Sequence, residues 1–148
     1  KDKSFIHEIS DIYGNQAVSL MIDYKYNEHK TDNNVFLNYG REKLTNNIKK
    51  TVENFKNTNY GELILHSMDR DGTGNGFDIE FLDKFVHFPN KPILLMGGAG
   101  KPEHILEALN HKKISGIITA NLLNFLGDGL KKTREIAIYK NISIAKLK

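Results

Sequence analysis

The chain has 148 residues, 39% hydrophobic and 26% charged, with a formal net charge of +3 and no cysteine. That length and balance suit one globular domain and exclude a disordered chain. No apolar run approaches the roughly 18 residues of a membrane span, and no charged-then-apolar leader opens the chain, so no membrane protein or secretory precursor is expected. The lack of cysteine excludes a disulfide framework, a cysteine zinc site and a thiol nucleophile, and fits a cytoplasmic setting. The positive charge is scattered over many lysines with asparagine between them, which reads as a solvated surface rather than a nucleic-acid patch. The chain opens on Lys1, which fits a processed chain or part of a longer one.

In chain order, the first helix is expected over Phe5–Tyr13, stopped by Gly14-Asn15. Ala17–Asp23 is a mostly apolar run ending in an acid and reads as a buried strand. Tyr24–Asn34 is polar and turn-rich, and Val35–Asn38 reads as a short extra strand. Lys43–Asn57 reads as an amphipathic helix, with Leu44, Ile48, Val52 and Phe55 at helical spacing. Glu62–Ser67 is the next strand, followed by a Gly- and Asp-rich loop over Met68–Phe77. Asp78 suits an N-cap for a helix over Ile79–Phe88. Pro89 and Pro92 bracket the turn into a strand at Ile93–Met96. Gly97–Gly100 is a loop, and Pro102 suits the first position of a helix running to Asn110. Ile114–Ala120 gives a last strand and Leu130–Lys140 a last helix.

Strand–helix alternation with near-continuous apolar strands implies a parallel sheet covered by helices. Two folds meet that description: a small doubly wound sheet, and half of a (β/α)8 barrel. Alternation puts Ser19, Met21 and Asp23 on one face of their strand, and Glu62, Ile64 and His66 on one face of theirs. Polar residues at strand ends fit a layered barrel interior, open at both ends, better than a face under helices. The expectation is a single half-barrel domain over residues 1–148, with four parallel strands and covering helices.

Two segments carry chemistry. Ser67-Met68-Asp69-Arg70-Asp71-Gly72-Thr73 follows a strand, at the end where parallel α/β folds bind ligands. Met96-Gly97-Gly98-Ala99-Gly100-Lys101 follows the next strand and opens a helix, where backbone amides can approach an anion. Coupled to Thr119-Ala120-Asn121, it matches the phosphate site that barrels build after their last two strands.

With GNQAVSLMIDYK (Gly14–Lys25), GELILHSMDRDGTGNGFD (Gly61–Asp78), MGGAGKPEHILEA (Met96–Ala108) and ITANLLNF (Ile118–Phe125), the chain resembles the cyclase-subunit family of imidazole glycerol phosphate synthase. The resemblance runs from about Phe5 to Leu147 and covers the carboxyl-terminal half of that barrel, strands five to eight. The sister isomerase has a similar DGT segment, but the Ser-Met before the acids and the GAGK after them look more like the cyclase.

The resemblance implies a lyase and ring closure on a phosphorylated substrate in histidine biosynthesis. Ammonia would come from a glutaminase partner docked beneath the barrel, and no cofactor or metal is implied. Asp23 matches the catalytic aspartate, a general acid/base group. Asp71 and Gly72 match substrate-contacting positions, with Asp69 and Arg70 expected to pair and hold the loop. Gly97, Gly98 and Ala99, with Ala120 and Asn121, match the phosphate grip. Glu62 opens its strand, at the barrel floor, and matches the charged ring that gates the ammonia passage. His66 stands where the family more often has a small hydroxyl residue; it reads either as a substrate contact or as a hydrogen-bonded core histidine. His87, His104 and His111 read as surface residues, and no histidine spacing resembles a metal site.

Three departures lie in segments expected at the mouth: Met96 in place of a serine, the Tyr39–Leu44 loop, and Asn124–Leu130. The last resembles cyclase paralogues that supply nitrogen to a sugar in surface-glycan synthesis, which is one alternative function. A half barrel also exposes sheet edges and an apolar inner face. It is therefore expected to pair with an amino-terminal half or with a second copy of itself, and a non-catalytic, self-associating half barrel is the other alternative.

Overall fold

A computed structural model describes residues 3–27, 33–45, 47–83, 89–120 and 128–145. The elements are α1 (Ser4–Tyr13), β1 (Ser19–Tyr26), β2 (Asn33–Leu37), β3 (Glu42–Thr45), α2 (Ile48–Phe55), β4 (Glu62–Ser67), α3 (Ile79–Asp83), β5 (Ile93–Met96), α4 (Pro102–Leu109), β6 (Gly116–Ile118) and α5 (Gly129–Tyr139). One 3-10 turn, Asn15–Ala17, joins α1 to β1.

The sheet order is β3-β2-β1-β4-β5-β6. Strands β1, β4, β5 and β6 are parallel, and the β2–β3 hairpin adds antiparallel to the free edge of β1. The faces of the parallel part differ. Ile22, Tyr24, Leu63, Leu65, Ile93 and Leu95 are each 4% exposed or less. They pack in one core with Ile48 and Val52 of α2, Phe81 and Leu82 of α3, and Ile105 and Ala108 of α4. Each leucine, isoleucine, valine or phenylalanine side chain among them contributes about 1.5–3 kcal/mol by leaving water. The opposite face carries Ser19, Met21, Asp23, Glu62, Ile64, His66, Leu94 and Met96, and Met21 is 51% exposed. Residues on that face align in tiers across the strands: Ser19 with Glu62, Met21 with Ile64, Leu94 and Gly116, and Asp23 with His66, Met96 and Ile118. Helices on one face and a half-open, tiered face on the other make this half of a (β/α)8 barrel.

Three expectations are corrected. The helix expected from Lys43 starts at Ile48, because Asn47 accepts a hydrogen bond from the Lys50 amide at 2.9 Å and caps it there. Lys43 and Leu44 instead lie in β3, paired with β2. The turn between them uses left-handed backbone at Asn38, Tyr39 and Gly40. Likewise β1 starts at Ser19 and runs on to Tyr26, since β2 pairs with Asp23 through Tyr26 and Tyr24 is fully buried. The last strand is shorter than expected, Gly116–Ile118. Among the described residues no helix is long and apolar enough to cross a membrane.

Candidate functional site

The carboxyl ends of β1 and β4 bring Asp23 and His66 side by side, with His66 Nδ1 2.8 Å from Asp23 Oδ1. The His66 side chain is 15% exposed and that of Asp23 19%. On the other side of the ring, Asp71 Oδ2 lies 3.5 Å from His66 Nε2. His66 Nε2 is buried and has no hydrogen-bond partner.

The loop after β4 is tied down by the strand beside it. Tyr24 and Tyr26, on the same face of β1, both donate their hydroxyls to the Asp78 carboxylate, at 3.1 and 2.9 Å. Burial, and then the charge of Asp78, holds both phenols well above their ordinary range, so they stay donors. The Tyr24 ring also stacks at 4.8 Å on Phe81 of α3. The Tyr26 amide donates to Asp69 Oδ2 at 2.7 Å. Among the described residues no ion pair joins Asp69 to Arg70, so the expected pairing is not what holds this loop; Asp69 does so through Tyr26.

Asp71, Gly72, Met96, Gly97, Gly98, Ala99, Ile118, Thr119 and Ala120 line one cavity of about 160 Å³. That is below the roughly 300–1,000 Å³ of a whole small-molecule site, and suits one group of a ligand. The loops after β4, β5 and β6 thus converge, as the motifs suggested. Asn121 falls outside the described residues. Thr119, expected in the phosphate-site segment without a role of its own, has a buried Oγ1 with no hydrogen-bond partner.

The glycines have a further reason to be glycine. Gly98 has φ 104°, and a Cβ there would run into the Gly76 carbonyl. The Gly76 amide donates to Gly98 O at 2.8 Å, closing one loop on the other. Gly97 has φ 96°, and its Cβ would lie 2.6 Å from Ser67 O. Gly72 differs: its φ is 73° but a Cβ would meet nothing within 4 Å. His104, read as a surface residue, is half-buried, and its Nδ1 accepts from the Gly100 amide at 3.2 Å. Burial and the nearby Lys101 lower its pKa, which favours the neutral ring that can accept.

At the opposite end of the inner face, Glu62 Oε1 accepts from the Ser19 hydroxyl at 2.6 Å. It makes no ion pair with a lysine or arginine among the described residues. Of the three departures, Met96 lines the cavity. Tyr39 is 93% exposed in the β2–β3 turn and is not one of the cavity residues. Asn124 lies outside the described residues. No cluster of three or more His, Asp or Glu side chains among the described residues could hold a metal ion.

A family model described as histidine biosynthesis protein matches residues 1–128. The chain belongs to this family. Within the histidine biosynthesis family it is similar to "Putative imidazole glycerol phosphate synthase subunit hisF2" of Parasynechococcus marenigrum, 39% identical over 94% of this chain and 51% of that protein. It is also similar to "Imidazole glycerol phosphate synthase subunit HisF" of Leptospira biflexa, 30% identical over 91% of this chain and 53% of that protein. The subunit of the same name from Lachnoclostridium phytofermentans is 30% identical over 95% of this chain and 55% of its own length. The chain therefore spans about half the length of these curated relatives. The resemblance to the cyclase subunit, drawn from the motifs, is borne out.

Proposed function

We propose that this chain is a single half-barrel domain, strands five to eight of a cyclase-type barrel in histidine biosynthesis. Completed by an amino-terminal half, it takes ammonia from a glutaminase partner. It then performs the lyase and ring-closing step that yields imidazole glycerol phosphate. The Asp23–His66 pair supplies acid/base work, and Asp71 and Gly72 contact the substrate. Gly97, Gly98, Ala99 and Ala120, with Asn121, hold its phosphate, and Glu62 gates the ammonia passage. The observation that carries this reading is the convergence of three strand-end loops on one small Gly-lined cavity beside the Asp23–His66 pair. An amino-terminal half is supported by the open tier at Met21 and by the exposed apolar residues Phe5, Ile12 and Tyr13 of α1.

A second reading, nitrogen delivery to a sugar acceptor, is favoured by His66 and Met96, neighbours in register at the mouth. The test is ammonium-driven formation of imidazole glycerol phosphate by the assembled barrel, with phosphate soaked into crystals in parallel. Turnover, with anion density between Gly97–Ala99 and Ala120, is expected. Anion density without turnover would move the chain to the sugar reading, and density on surface lysines alone would remove the phosphate site.

A further inference from the structure

We propose that His66 is the group that exchanges protons with the substrate, and that Asp23 acts through it as a positioning residue. This rests on the cyclase-type reading above and divides its acid/base work between two side chains. Strands β1 and β4 are parallel and place Asp23 directly opposite His66, on the open face. The 2.8 Å contact between Asp23 Oδ1 and His66 Nδ1 sets the ring's tautomer. A carboxylate only accepts, so the 2.8 Å contact puts the donated proton on Nδ1; Asp71 Oδ2, 3.5 Å from Nε2, makes no hydrogen bond with it, and Nε2 presents the lone pair.

Nε2 is the atom left for a ligand. It is buried and without a hydrogen-bond partner. Its neighbour Asp71 lines the cavity of the Gly-rich loops, and so does Met96, which pairs with His66 in the sheet. A buried polar atom without a partner is costly to a fold, and such atoms call for a bound group or a function. A core histidine satisfied by the protein would have both nitrogens hydrogen-bonded; here Nδ1 is, while Nε2 is not, with the cavity residue Asp71 3.5 Å from it.

The chemistry balances without a further reactant. When an ammonia-derived nitrogen bonds to a carbonyl carbon, the new C–N bond uses the nitrogen lone pair, and the C=O π pair moves to oxygen. Nitrogen must then lose a proton and oxygen must gain one. Nε2 takes the first and returns it to the oxygen, so the imidazole ends neutral, as it began. Asp23 holds the ring in place and stabilises the imidazolium that exists between the two transfers.

The test uses the assembled barrel with ammonium and the phosphorylated precursor of imidazole glycerol phosphate. His66→Ala is expected to lose about 10²–10⁴-fold in turnover, with partial recovery on adding free imidazole. The double variant with Asp23→Asn should lose no more than the worse single change, because the two residues act as a unit. Losses that multiply, or no response to imidazole, would overturn the proposal. A second readout needs no turnover: nitrogen-15 spectra of the histidine rings in the unsubstituted protein. His66 protonated on Nδ1, and altered in Asp23→Asn, supports the pair; a proton on Nε2 alone overturns it. If the unsubstituted barrel makes no product, the cyclase reading falls, and these spectra still decide the Asp23–His66 assignment.

Discussion

At the carboxyl end of the inner face, Asp23, His66 and Asp71 converge beside a cavity lined by Gly72, Gly97 and Gly98. At the amino end, Glu62 meets the Ser19 hydroxyl. The same strands build both ends, so the contrast comes from the loops. Those at the carboxyl end are cross-braced by the Tyr24–Asp78–Tyr26 contacts and by the Gly76–Gly98 bond. Strand registry alone gives a pairing at the floor; braced loops are needed to gather several groups at the mouth.

The largest effect should come from the mouth's chemistry. In the assembled barrel, Asp23→Asn is expected to slow ammonium-driven turnover about 10²–10⁴-fold, while Ser19→Ala at the floor should leave that rate nearly unchanged. Steady-state rates decide it, and equal losses would erase the distinction between the ends. Next come the braces. Gly98→Ala combines left-handed backbone with overlap of the Gly76 carbonyl and should cost about 2–4 kcal/mol in urea unfolding. Gly72→Ala, strained in φ but facing open space, should cost about 1–2 kcal/mol. Similar losses at the two glycines would mean that the loops are not packed as described.

Tyr26→Phe removes one hydroxyl from the Asp78 carboxylate, and a loss of about 1–2 kcal/mol should appear in the same unfolding series. The smallest effect is one of pH. His104 has a lowered folded-state pKa, so below the ordinary 6.5 of an imidazole the unfolded chain binds the proton more readily. Stability should therefore fall as the pH drops through that value and on toward the folded pKa. His104→Gln should flatten this acid limb of the stability curve; an unchanged limb would show that another group causes it.

Strands β4 and β5 were legible to the residue, since central buried strands are continuous apolar runs bounded by glycine and proline. The β3 strand was not: Leu44 fits a helical spacing, and only pairing with β2 across the Asn38–Gly40 turn makes it extended. Asp23, Asp71 and the glycines were legible as strand-end residues of one barrel mouth. Their contacts were not, because the Asp23–His66 distance depends on the β1–β4 register, 43 residues apart in the chain. The seating of Gly98 against Gly76, and of His104 under the same loop, are likewise tertiary facts with no local signature.

The division of labour between mouth and floor is tested most directly by Glu62→Gln in the assembled barrel with the proposed glutaminase partner, fed either ammonium or glutamine. On the proposed reading this change alters the ammonia passage and leaves Asp23, His66 and the Gly-lined cavity in place. Turnover with ammonium should stay near that of the unsubstituted protein, while turnover with glutamine falls. Equal losses with both nitrogen sources, or none with either, would contradict the assignment of Glu62 to the passage, and with it the claim that the two ends of this half barrel do different work.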